Sequence, residues 1–158
     1  MSIRAVLCVA LAGLLLAACG TTISPATAMR RWAANSDTAF AAAATTLLSD
    51  SQHVRAAIDN HQPPSTIRTV CEILLGHAQA ANNFLPTPDP QLTGQLSNAY
   101  DRLVQAADHC YDGVGDPARL ASAEAEQRTA IGLLVGAVLR EEFVSGRSLG
   151  IAGIPGAS

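Results

Sequence analysis

Three aspartates have the spacing that comes closest to a metal site. Asp101, Asp108 and Asp112 stand at i, i+7 and i+11 of a predicted helix, which lines their carboxylates along one face. A cation site in a helical bundle would also take ligands from a facing helix in the Glu-x-x-His form of di-iron proteins, and the sequence contains no such motif. We interpret the carboxylates as a solvated acidic face and predict neither a metal site nor a cofactor.

Residues 146–150 read Gly-Arg-Ser-Leu-Gly and match, by letter, the Gly-x-Ser-x-Gly nucleophile elbow. An elbow joins a strand to a helix, and its catalytic histidine follows the serine in the chain. Here no strand pattern precedes Ser148, and all four histidines come before it, without a metal-ligand spacing, at positions 53, 61, 77 and 109. We therefore predict no catalytic residue and no enzyme.

A short apolar run, residues 5–18, follows Arg4 at the start of the chain. It is shorter than the about 20 residues that cross a ~30 Å hydrocarbon core, so it predicts a secretion signal rather than a membrane span. The run ends in Leu16-Ala17-Ala18-Cys19, which resembles the lipobox of bacterial prolipoproteins.

The lipobox resemblance implies a lipid anchor. Residues 1–18 would be the signal peptide that is removed, and Cys19, diacylated on sulfur, would begin the mature chain. Two or three acyl chains at about 0.8 kcal/mol per buried methylene hold a protein on a bilayer almost permanently. The expected location is the extracytoplasmic face of the cell membrane, with residues 19–24 as a lipidated tether.

The other cysteines suit an exported protein. Cys8 would leave with the signal, so only Cys71 and Cys110 remain in the folded region. Two cysteines in an exported chain predict one disulfide, and the alternative is two free buried thiols.

The composition excludes several functions. The chain has 158 residues and no lysine, which removes Schiff-base chemistry and phosphate-binding lysines. Without Arg4, nine arginines face thirteen acidic residues. A nucleic-acid partner would need a basic surface, so we expect none.

Helix boundaries are marked by a polar residue followed by proline, the arrangement of an N-cap and first helical position. It occurs at Ser24-Pro25, Asp89-Pro90 and Asp116-Pro117, with a less regular start near Ser65. Pro86, Gly113 and Gly146 mark ends, the two glycines as C-caps. The predicted helices cover about 25–60, 65–84, 90–112 and 117–144. Residues 49–51, Ser-Asp-Ser, could kink or break the first helix.

The apolar residues follow the helical period in all four segments, and none alternates like a strand. The first helix has the stripe Ala33, Ser36, Phe40, Ala43, Leu47, Val54 and Ile58. Residues 130–139 are apolar on every side, which predicts that the fourth helix is the central helix of the core, closely packed through Gly132 and Gly136.

Short connections make successive helices antiparallel neighbours. The predicted fold is therefore all-α, an up-down four-helix bundle over residues 25–146 with one disulfide. Residues 147–158 contain few large apolar side chains and predict a flexible tail.

The order of motifs resembles a secreted actinobacterial module. It combines a Cys-x-x-Leu helix at Cys71, a Pro-x-Pro-Asp turn at residues 86–89 and an Ala-Ala-x-x-Cys helix end at Cys110. The resemblance covers about residues 47–110 and implies a small helical lipoprotein with bridged cysteines, for which no established activity is implied.

These observations favour a lipid-anchored envelope protein with a non-enzymatic interaction or accessory role, whose partners are the membrane and an envelope protein. The alternative is a carrier of a lipid or other apolar ligand between the helices. A metal-dependent enzyme would rest on the three aspartates alone.

Overall fold

The computed structural model describes residues 23–152 and Ile154. They form four helices: α1 (Pro25–Asp59), α2 (Pro64–Ala81), α3 (Pro90–Gly113) and α4 (Pro117–Ser145), with a 3-10 turn (Asn82–Phe84) after α2. This part of the chain contains no strand, so the predicted all-α class is confirmed. The predicted signal peptide and Cys19 lie outside the described residues.

All three polar residue–proline pairs begin a helix as predicted. The side chain of Ser24 accepts a hydrogen bond from the Thr27 N–H, and Asp89 accepts one from Leu92 at 2.7 Å. Asp116 accepts N–H bonds at the start of α4. Each cap satisfies N–H groups that have no partner within the helix, so these starts are fixed by local sequence.

The helices form a closed ring in chain order, since α1 packs on α2, α2 on α3, α3 on α4 and α4 on α1. The starts of α1 and α3 meet the end of α4 at one end of the bundle, where Pro25, Pro90 and Phe143 line one pocket. We call this end the base. At the far end, Ile58 and Ile67 meet Pro117. The predicted up-down bundle is confirmed.

The first helix is continuous through residues 49–51. Contacts to two neighbouring helices are made here, one by the Asp50 side chain and one by the Ser51 backbone carbonyl. Asp50 Oδ2 lies 2.6 Å from His77 Nδ1 on α2, and the buried Gln127 of α4 donates to the Ser51 carbonyl at 2.7 Å. The bond to His77 removes the local competition with helical hydrogen bonds that the Asp50 side chain would otherwise offer.

The prediction that α4 is closely packed through its glycines is wrong. Gly132 and Gly136 are exposed, and an added Cβ at either would meet no atom within 4 Å. The same face carries Leu139 and, one turn on, the 83% exposed Phe143. The buried face of α4 contains Leu134, which is fully buried.

Among the described helices, none has the length and hydropathy to cross a membrane.

The two predicted glycine C-caps have different outcomes. Gly146 is a C-cap with φ of 70°, in the left-handed region that glycine tolerates. Gly113 instead is the last residue of α3, and Val114 follows as the cap. A Cβ on Gly113 would lie 3.0 Å from Arg119 Cβ, so its small size serves the close approach of α3 to α4.

The predicted disulfide is present. Cys71 of α2 and Cys110 of α3 are bridged, with their Cα atoms 5.9 Å apart, and both are buried in the core. The bridge joins two neighbouring helices across a sequence separation of 39 residues.

We expect the double substitution Cys71→Ala and Cys110→Ala to lower thermal stability by up to about 4 kcal/mol, because the bridge restricts the unfolded chain. Thermal unfolding followed by circular dichroism measures this change. Helix content at low temperature should equal that of the wild type, because the packing between the helices remains when the bridge is removed. An unchanged melting temperature would contradict the stabilising role of the bridge.

The prediction of a flexible tail after Gly146 is wrong for residues 147–152 and 154. Ile151 and Ile154 are 4% and 6% exposed and belong to the hydrophobic core. Leu149 packs against the same core. We call residues 147–152 and 154 the C-terminal strap. The sequence did not predict the strap because its three apolar residues have no helical period. They are buried only because they pack into a groove of the bundle.

Removing residues 147–158 is therefore expected to lower the free energy of unfolding by about 2 kcal/mol or more, because each fully buried isoleucine contributes about 1.5–3 kcal/mol, offset partly by the entropy of ordering the strap. Urea unfolding of the truncated chain tests this. The point variant Ile151→Asn should reproduce much of the loss, whereas Ala152→Asn, on the exposed neighbour, should have little effect. Equal stabilities for these two variants would contradict the burial of the strap.

Candidate functional site

The residues considered for metal chemistry are not brought together. Asp101, Asp108 and Asp112 are all exposed on α3, as a solvated acidic face requires. Within residues 23–152 and 154, no group of three or more His, Cys, Asp or Glu residues is placed to hold a metal ion. His109 is paired with Glu126, with 2.6 Å between Nδ1 and Oε2.

Ser148 lies in the C-terminal strap, and not on a turn between a strand and a helix. Its hydroxyl donates to Glu142 Oε1 at 3.3 Å. The Leu149 N–H donates to the same oxygen at 2.7 Å. The serine therefore helps to hold the strap on the end of α4.

The most unusual chemistry in the bundle is a buried carboxylate pair that the sequence analysis did not identify. Glu141 of α4 is fully buried, and Asp37 of α1 is 9% exposed. Both oxygens of Glu141 and Oδ1 of Asp37 have no hydrogen-bond partner among residues 23–152 and 154. Burying charged groups without partners in a core costs free energy, so we expect one carboxyl group of this pair to be protonated.

The proton is held by Glu141. Burial raises the pKa of Glu141 to about 7, and the nearby negative charge of Asp37 adds to the shift. Below about pH 7, Glu141 is therefore mostly the uncharged acid, and near pH 7 both forms are populated. The pair can exchange one proton in this range.

An arginine from the strap forms an ion pair with one of the two acids, Asp37. Arg147 Nε lies 3.1 Å from Asp37 Oδ2, so Asp37 faces a cation on one side and a neutral acid on the other. A surface hollow of about 270 Å³ lies here, between α1 residues Asp37 and Ala41 and the strap residues Arg147 and Leu149. The arrangement attaches the strap to both α1 and α4.

A second polar contact fixes the base. Arg140 of α4 donates to both carboxylate oxygens of Asp89, at 3.1 Å and 2.8 Å, while Asp89 caps α3. The hydrogen bonds from Arg140 hold the pKa of Asp89 below its ordinary value. Beside this pair, an open pocket of about 350 Å³ lies between Met29 and Phe143.

Both missed acids continue the buried stripes of their helices. On α1, Asp37 and Ala44 are buried, whereas their neighbours Ser36 and Ala43, which were predicted to lie on the buried face, are half-buried. On α4 the buried face continues from Leu134 through Ala137 and Val138 to Glu141 and Ser145. Extending each apolar stripe by the helical period would have placed both carboxyl groups inside.

No family model, curated protein or solved structure matches this chain.

The Glu141 carboxyl predicts an unusual pH dependence of stability. Its pKa rises from 4.5 to about 7 on folding, so between these values the folded state binds more protons than the unfolded state. The free energy of unfolding contributed by Glu141 is thus highest below about pH 4.5 and falls as pH rises to about 7. The loss is on the order of 3 kcal/mol.

Glu141→Gln should remove this decline, because a neutral amide of similar size needs no proton. We expect the variant to be more stable than the wild type above about pH 7, measured by urea unfolding across the pH range. Glu72→Gln, at an exposed glutamate of α2, is the matched control and should keep the wild-type profile. A Glu141→Gln profile that parallels the wild type would show that the buried carboxyl is not the titrating group.

Proposed function

We propose that this protein is a lipid-anchored, non-enzymatic protein of the cell envelope, held on the extracytoplasmic face of the membrane by acyl chains on Cys19. The observation that carries the proposal is the sequence Leu16-Ala17-Ala18-Cys19 behind an apolar run that is too short to span a bilayer. The capped start of α1 at Ser24 follows closely, which leaves only a short tether.

The disulfide supports an exported location. Bridges of this kind form and persist in oxidising compartments and are rare in a reducing cytosol. Cys71 and Cys110 pair within the core, and Cys19 stands apart from this pair in the chain. Acylation of Cys19 would leave no free thiol among the cysteines that follow the proposed signal.

An interaction or accessory role fits the interior better than a carrier role does. Large side chains from all four helices are fully buried along the bundle axis: Phe40, Leu47, Leu74, Leu92, Leu96, Tyr100, Leu103 and Leu134. A carrier would need an apolar cavity among these side chains. The apolar hollows at the base, at the far end and between α1 and α2 beside Phe84 are all open to solvent rather than enclosed among these side chains.

Cys19→Ala in the full-length chain is expected to abolish acylation and release the protein from the membrane fraction, because sulfur at this position is the attachment point. Metabolic labelling with palmitate and membrane fractionation measure the two effects. Cys8→Ala is the matched control, since Cys8 lies inside the proposed signal, and should leave both unchanged. Retention with intact labelling in Cys19→Ala would contradict the anchor.

Native mass spectrometry of the acylated full-length protein, released in detergent, separates the two roles. An accessory protein should carry no apolar ligand beyond its anchor. A stoichiometric additional lipid, retained by the folded chain, would favour the carrier.

A further inference from the structure

The base carries large apolar side chains that the bundle does not cover. Phe143 is 83% exposed, the most exposed large hydrophobic residue among those described, and Ile23 is 52% exposed. Phe143 lines one pocket with Pro25, two residues beyond Ile23. We call Ile23, Arg30, Arg31 and Phe143 the base surface.

The base surface is also positively charged. Arg30 and Arg31 are exposed in the first turns of α1, and neither forms an ion pair with any residue between Ile23 and Ala152. Of the carboxylates near the base, Asp89 is bound by Arg140, whereas Glu142 accepts N–H and O–H bonds from the strap through one oxygen and keeps its negative charge.

At the other end of the bundle, carboxylates and arginines are mixed, since Arg119 pairs with Asp116 and Arg68 lies over the Tyr111 ring. Asp108 and Asp112 are exposed near the end of α3, and Asp116 caps the start of α4 beside them. The base is thus distinguished by its exposed apolar groups and by two arginines that form no ion pair within the described part of the chain.

We propose that the base surface docks end-on against an anionic lipid bilayer, with Phe143 and Ile23 among the headgroups and Arg30 and Arg31 against lipid phosphates. This inference rests on the proposed anchor. Ile23 lies four positions after Cys19, a span of at most ~14 Å in a fully extended chain. An acylated Cys19 therefore keeps the base within contact range of the headgroups.

The small size of the base surface favours a bilayer over a protein. A stable protein interface buries upwards of about 1,000 Å², more than two apolar side chains and two arginines provide. A tethered domain needs far less, because the anchor keeps the local concentration of the surface high. Exposed aromatic and arginine side chains are also the residue types that settle at membrane interfaces.

A tryptophan reporter tests the docking. The chain has a single tryptophan, Trp32, which packs edge-on against Phe40, so Trp32→Phe provides a silent background. In this background, Phe143→Trp places the reporter on the base surface, and Tyr111→Trp places it on an exposed aromatic position near the far end of α3. Both full-length acylated proteins are reconstituted in phosphatidylglycerol and phosphatidylcholine vesicles with brominated acyl chains.

We expect the Phe143→Trp protein to show blue-shifted emission and strong quenching by bromine, and the Tyr111→Trp protein to show neither. Adding Arg30→Gln and Arg31→Gln to the Phe143→Trp protein should reduce the quenching, and high salt should do the same to the parent, since both weaken attraction to anionic headgroups. Equal emission from the two reporters would overturn the docking.

Other outcomes separate the docking from the anchor. Mass spectrometry of the reconstituted protein first establishes acylation of Cys19, and an unmodified cysteine overturns both proposals. An acylated protein whose Phe143→Trp reporter is unquenched overturns the docking alone. Shielding of that reporter from aqueous iodide in native membranes, without quenching by brominated lipid, would assign the surface to a protein partner and also overturn bilayer docking.

Discussion

The up-down connection of four helices is the constraint on which the other features depend. An even number of antiparallel helices returns the chain to the end where it began, so the start of α1 and the end of α4 share the base. This return brings Phe143 beside Pro25. It also lets the strap fold back along α1, where Arg147 reaches Asp37. The base surface, the buried acids and the path of the strap are therefore all consequences of one topology.

Much of the fold could be predicted from the sequence because its signals are local. A cap residue and a proline define a helix start within one turn, which is why the predicted helix starts at Pro25, Pro90 and Pro117 are all correct. The pairing of Cys71 with Cys110 followed from cysteine counting in an exported chain. Neither inference required knowledge of what packs against what.

The buried acids and the strap could not be found in the same way, because they depend on contacts between distant segments. Residue type alone argues against burying Asp37 and Glu141, and only Arg147 and a bound proton make their burial tolerable. The strap likewise lacks a periodic pattern, and Ile151 is buried only because the bundle offers a groove for it. The helices can thus be predicted from local sequence, whereas the buried acids and the strap depend on contacts that only the folded structure shows.

The central claim is that the bundle stands on its base at the membrane surface. Neutron reflectometry of the full-length acylated protein on a supported anionic bilayer measures the thickness of the protein layer directly. The 35 residues of α1 make a helix about 50 Å long at 1.5 Å per residue, so end-on docking predicts a layer about 50 Å thick beginning at the headgroups. A layer about 20–25 Å thick, the width of two packed helices, would contradict the account, because the bundle would then lie on its side.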